Sequence, residues 1–219
     1  MTSPLACTDS RLIDGIQFRV LAQVFPVLRH DALKPLSNAK LTAVLLEKAI
    51  AKGTIVAPDA PPFVSDLDTM LDESVEAIRL LNNWFQDEGG RADVHSVFLE
   101  CRKLAFSQLL LSGKRIEVDP FTHRVPLPHR TSRYVVMAWL IHAIQSLPDR
   151  GVLRISQDGP ARVSATVLPA PADDRVREPR PDTSTPFLET EVDALATNYG
   201  WRVQREGDNW TLLLPPQQE

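Results

Sequence analysis

The sequence predicts an α+β protein: a long antiparallel helical hairpin, then a sandwich of helices on one face of a mixed, mostly antiparallel sheet. Three observations predict it. Apolar residues recur at helical spacing through the first 86 positions. The pattern changes after DEGG at 87–90. Beyond it, stretches of strand-like alternation are interleaved with helical ones. The expected domains are therefore 1–88 and 91–219.

The first helix is expected over 10–52, where Leu21, Val24, Phe25, Leu28, Leu36, Leu45 and Leu46 fall at helical spacing. Asp9 or Ser10 can cap its start, and Gly53 stands just past its end. Pro26 and Pro35 lie inside it. Each removes a hydrogen bond, so the stretch reads as two helices or one bent helix. TIVAPDAPP at 54–62 is a turn. A second helix follows over 65–86, with Leu67, Leu71, Val75, Ile78, Leu81 and Phe85 in near-heptad spacing. One hairpin cannot bury both apolar faces, which predicts a homodimer whose two hairpins make a four-helix bundle.

In the second half, 93–112 reads as an amphipathic helix, 115–119 as a strand and 124–128 as a short extended piece. Residues 131–147 form a strongly apolar helix. GVLRIS at 151–156 and ARVSATV at 161–167 are two strands joined at QDGP. Residues 169–186, rich in proline and charge, read as a mobile loop. A helix over 187–199 stops at Gly200, and WRVQREGDNWTLLLP turns as a hairpin at Gly207-Asp208.

Composition excludes several functions. With 24 Lys plus Arg against 28 Asp plus Glu, the formal charge is −4. Coating nucleic acid needs clustered cations to neutralise phosphates, so nucleic acid is not an expected partner. No apolar run approaches the ~18 residues of a membrane span. MTSPLACTDSRLIDG lacks the basic and apolar regions of a secretory signal. Two cysteines, Cys7 and Cys101, make no disulfide framework. Together these features predict a cytoplasmic protein. Proline outnumbers glycine 18 to 9, and phosphate-cradling loops are usually built from glycine.

Of the five histidines, His95 sits at a helix start, and His123 and His129 lie in a proline-rich connection. No pair has metal-cluster spacing, so no metal is expected. His30 differs by its context, LRHDALKPLSNAKL. It is mid-helix, next to Asp31 and five residues before Pro35. Its neighbours three, four and seven residues away include Gln23, Pro26, Val27, Lys34 and Ser37. That face is more polar than the stripe at Leu21, Leu28, Leu36 and Leu45, so the imidazole is expected at the surface. A ring nitrogen there is a candidate nucleophile toward phosphorus, with Asp31 holding the other nitrogen.

HDALKPL at 30–36 resembles the phospho-acceptor box of sensor histidine kinases: histidine, acid, three residues, proline, leucine. The order of elements also resembles that family, in which a dimerisation hairpin runs into an ATPase domain. The resemblance implies His30 as phospho-acceptor, with Asp31 assisting and Lys34, one turn on, meeting phosphate charge.

The second half departs from the family where nucleotide is held. Alignment of WLIHAIQSL puts Ala138 and His142 where the family has asparagines that help hold magnesium, and Gln145 where a basic residue is common. The Asp-x-Gly-x-Gly run is replaced by ATVLPAPADD, with Leu168 or Pro169 near the aspartate position. The last glycine-rich motif is matched only by TSTPFLETEV at 183–192, and no glycine occurs from 160 to 199. Magnesium-bridged phosphates need oxygen ligands and close backbone approach. The expectation is therefore a dimeric histidine phosphotransferase of a bacterial phosphorelay, without a cofactor, exchanging phosphoryl groups with response-regulator receiver domains. The alternative is a non-catalytic pseudo-histidine-kinase module that docks on a two-component partner.

Overall fold

The computed structural model describes residues 4–54, 61–86, 89–168 and 185–216. The turn expected at 54–62 and the loop expected at 169–186 fall mostly outside these residues.

Helix α1 (Pro4–Ala51) is one unbroken helix, with Pro26 and Pro35 inside it. It starts before the expected caps, because proline in a first turn loses an N–H that has no helical partner anyway. The same reasoning applies to α2 (Pro61–Asn82), which opens on two prolines where the sequence pattern suggested Ser65. Val20, Val24, Leu28, Ala32, Pro35 and Ala39 are buried at spacings of three and four, a single narrow stripe along α1. Leu36 and Leu45, expected in the apolar stripe, are 38% and 56% exposed. The buried stripe is thus lined by smaller residues, and the leucines flank it.

The chain divides into two compact units. One runs from Gln23 through both helices to residue 88; the other joins α1 up to Ala22 with everything from Gly89 onward. The sequence pattern put all of 1–88 in the hairpin. The grouping differs at the start of α1 because Gln17 and Arg19 bond to Tyr199 and Glu191.

In the larger unit, β1 (Arg91–Asp93) and β3 (Pro126–Pro128) pair antiparallel as a two-stranded ribbon. At three residues, β1 is too short for alternation to announce it. Asp93 then caps α3 (Val94–Ser112): one carboxylate oxygen accepts from His95 N at 3.2 Å and the other from Val125 N at 3.0 Å. The five-stranded sheet has the order β2 (Arg115–Val118), β4 (Val152–Gln157), β5 (Arg162–Leu168), β7 (Asn209–Leu213), β6 (Arg202–Glu206). Only β2 and β4 run parallel, with Ile116 opposite Leu153; the other pairs are antiparallel. The hairpin between β6 and β7 turns at Gly207, whose φ of 60° suits glycine.

Helix α4 (His129–Ser146) is buried continuously from Ser132 to Ile144 and packs beside α3 and α5 (Glu189–Asn198). Inward-facing Leu153, Ile155, Val163, Ala165 and Leu212 are fully buried, so the core lies between sheet and helices. Trp139 meets the edge of Phe98 at 6.0 Å, and Phe98 meets Phe121 at 5.6 Å. Each such side chain contributes about 1.5–3 kcal/mol on burial.

Candidate functional site

His30 lies in the second turn after Pro26, on α1. Its imidazole is 69% exposed, and Nδ1 lies 3.3 Å from Asp31 Oδ1. In the tautomer with its proton on Nδ1, that proton faces the carboxylate and Nε2 carries the lone pair. Lys34 is exposed one turn further along the same face. Ser37 donates its hydroxyl back to the Leu33 carbonyl at 2.9 Å. Pro35 is buried and has no N–H to donate into the helix. The sequence pattern thus brings His30, Asp31 and Lys34 onto one exposed stretch of helix. Chemically it offers a nucleophilic nitrogen, an adjacent carboxylate and a cation.

A second group of residues surrounds α4. Ala138 is fully buried and presents no oxygen. His142, 9% exposed, meets the Phe187 carbonyl through Nδ1 at 2.8 Å. Gln145 Oε1 accepts from the Phe187 N–H at 2.9 Å. The His142 ring also meets Trp210 edge-on at 5.1 Å. Leu168 ends β5, and Pro169 lies outside the described residues. In TSTPFLETEV, Glu191 caps its own helix by accepting from Leu188 N at 2.9 Å. Its other carboxylate oxygen pairs with Arg19.

Arg19 was not singled out by the sequence. Besides Glu191, it donates to the carbonyls of Thr185 and Pro186, at 3.4 and 3.0 Å, and its guanidinium stands 4.5 Å from the Phe187 ring centroid. Thr185 and Pro186, the last residues of the loop expected to be mobile, are therefore held.

His129 was expected in a polar connection and instead opens α4. Its Nε2 lies 3.1 Å from Glu100 Oε2 and 2.9 Å from an Arg133 nitrogen. Arg133, 1% exposed, pairs with Glu100 at 2.9 Å. A buried guanidinium requires such a carboxylate, and this cluster ties α3 to α4. Burial pushes the neighbouring Cys101 thiol well up, with Glu100 adding to the shift and Arg133 opposing it. Burial likewise raises the Tyr134 phenol. Among the described residues, no group of three or more His, Cys, Asp or Glu is placed to hold a metal ion. Nor is any helix among them long and apolar enough to cross a membrane.

No protein-family model and no curated protein matches the chain. Among solved structures, the chain is similar to segments of histidine kinases. The Acinetobacter baumannii histidine kinase AdeS is 14% identical, with 86% of this chain and 98% of that one covered and a TM-score of 0.41. The cytoplasmic segment of histidine kinase QseC is 10% identical, covering 67% and 95%, with a TM-score of 0.42. Histidine kinase ThkA, in complex with response regulator protein TrrA, is 12% identical over 99% of this chain and 68% of that one, with a TM-score of 0.40. At these scores the likeness is loose, and the functional reading rests on the chain's own residues.

Proposed function

We propose that the chain is a dimeric histidine phosphotransferase of a bacterial two-component phosphorelay. The observation that carries this reading is His30: an exposed imidazole inside HDALKPL whose Nδ1 faces Asp31. Nε2 attacks the phosphorus of a receiver aspartyl phosphate. The N–P bond forms, the acyl-phosphate P–O bond breaks, and the receiver carboxylate leaves with the electron pair. Asp31 balances the positive charge that the phosphorylated ring acquires on keeping its Nδ1 proton. Transfer to a second receiver is the reverse sequence. Phosphoryl transfer asks mainly for position and electrostatics, and Lys34 supplies a cation one turn away. Receiver domains are thus the proposed partners, and any metal belongs to them.

The absence of ATP chemistry in this proposal is supported by α4. Ala138 has no ligand atom in its side chain, and His142 Nδ1 and Gln145 Oε1 are engaged by the backbone of Phe187. The homodimer is supported by exposed apolar side chains on both helices: Leu33, Leu41 and Leu45 on α1, Leu71 and Val75 on α2. Charge supports it too. The second half of α1 carries Arg29, Lys34, Lys40 and Lys48 against Asp31 and Glu47, while α2 carries five acids against Arg79. Helices of opposite charge from two copies attract when set side by side.

The test is phosphoryl transfer from labelled, phosphorylated receiver domains. The chain is expected to take up acid-labile label, and His30→Gln to lose it while remaining dimeric. Label that persists on His30→Gln overturns the assignment to His30, and a wild-type chain that takes up no label leaves a docking module without phosphate chemistry in its place.

A further inference from the structure

We propose that residues 185–188 form a releasable strap that fastens the start of α1 to α4 and α5 within the larger unit, with Arg19 as its positioning residue. The hydrogen bonds that hold Thr185, Pro186 and Phe187 go to side chains from two helices rather than to a neighbouring strand. Arg19 takes the carbonyls of Thr185 and Pro186. His142 takes the Phe187 carbonyl and Gln145 the Phe187 N–H. Glu191, from α5, completes the set: one oxygen accepts from Leu188 N and the other pairs with Arg19. A strand held by a ladder opens only when many backbone bonds break together. This strap is held by a few side chains, each of which can leave by rotating.

The arrangement has a buried anchor and a reachable fastener. Phe187 is 2% exposed, whereas the Arg19 side chain is 32% exposed. Arg19 alone touches all three parts of the strap: its carbonyls, its aromatic ring and its helix cap. Removing it strips Glu191 of its counter-charge and Phe187 of the cation over its ring. The network then weakens as a unit, which suits a segment that opens locally rather than globally. Release bares Phe187, His142 and Gln145 on one side, and frees Arg19 on the other. The state of the strap therefore decides whether α1 is held near its start. This inference stands on contacts at Arg19 and does not require His30 to carry phosphate.

Amide hydrogen exchange on the full chain tests it. In Arg19→Ala the Phe187 and Leu188 amides are expected to exchange roughly 10–100-fold faster, the factor for losing a hydrogen bond to a charged group. Sheet amides such as Leu212 are expected to keep their rate. Arg19→Lys keeps the charge without the planar fork and is expected to restore protection only in part. Coupling is reciprocal, so Phe187→Ala is expected to speed exchange in α1 up to Ala22. Unchanged Phe187 and Leu188 amides in Arg19→Ala overturn the proposal. So does a rise spread evenly over the sheet, or an α1 whose exchange ignores Phe187→Ala.

Discussion

His142 donates through Nδ1 to the Phe187 carbonyl at 2.8 Å, and the N–H of the same Phe187 reaches Gln145, one turn further along α4. Both backbone groups of one buried residue are thus satisfied by two side chains of one helix. Removing either leaves a buried polar group without its partner, which costs about 1–3 kcal/mol. His142→Ala is expected to lose stability in that range by denaturant titration. A loss indistinguishable from that of an exposed substitution such as Thr190→Ala would show that the contact holds little.

ATP is expected not to bind. Ala138 offers no oxygen, and His142 already has a backbone partner. Calorimetry with ATP and magnesium is expected to show no heat of binding. A dissociation constant of about 50 µM or tighter, near −6 kcal/mol, overturns this.

Light scattering at micromolar concentration is expected to give a dimer. Burying one large apolar side chain contributes about 1.5–3 kcal/mol, and the exposed leucines and valines on α1 and α2 are numerous enough to drive association. Because α1 and α2 differ in charge, the dimer is expected to weaken modestly as salt screens them. A monomer at all concentrations sinks the four-helix bundle.

The Cys101 thiol predicts how stability changes in alkali. Its folded value is raised by burial, so the native state holds its proton after the unfolded chain has released one. The unfolded thiol ionises near about pH 8.5. The contribution is complete below that pH. It is lost as pH rises from there toward the folded value, at up to about 1.4 kcal/mol per pH unit. Cys101→Ala is expected to flatten the stability curve between about pH 8.5 and 10. Parallel curves for the two proteins contradict the assignment.

Much of this molecule was legible because its elements obey local rules. The α3, α4 and hairpin positions follow from helical spacing, alternation and Gly207, which report on residues a few positions apart. The HDALKPL box is local too, so His30, Asp31 and Lys34 emerge together on one helical face. Arg19 and Glu191 were not legible. They sit near opposite ends of the chain, and nothing in the neighbourhood of either residue announces the other. The same holds for Glu100 and Arg133, whose pairing depends on how α3 lies beside α4. Which side chains of α1 are buried within one chain was not legible either. Helical spacing fixes a period, but several stripes of similar period fit α1, and packing selected the one with Ala32 and Ala39.

The sharpest separation of roles is expected within the box itself. Asp31 Oδ1 lies 3.3 Å from His30 Nδ1, which in the proposed mechanism leaves Nε2 as the nucleophile. Asp31→Asn keeps the shape and removes the charge proposed to steady the phosphorylated ring. Transfer is expected to slow by roughly 10–1000-fold, the scale for losing an assisting acid–base group, with receiver affinity unchanged. Lys34→Ala removes the cation proposed to meet the incoming phosphate. Its effect is expected to be smaller and to fall on receiver docking, with a shallower salt dependence. Both side chains are exposed or nearly so, so each variant is expected to keep its stability within about 1 kcal/mol. Single-turnover transfer at saturating and limiting receiver concentrations separates the two. If Asp31→Asn instead lowers affinity and leaves the saturated rate intact, the carboxylate serves docking, and the proton-holding role assigned to it fails.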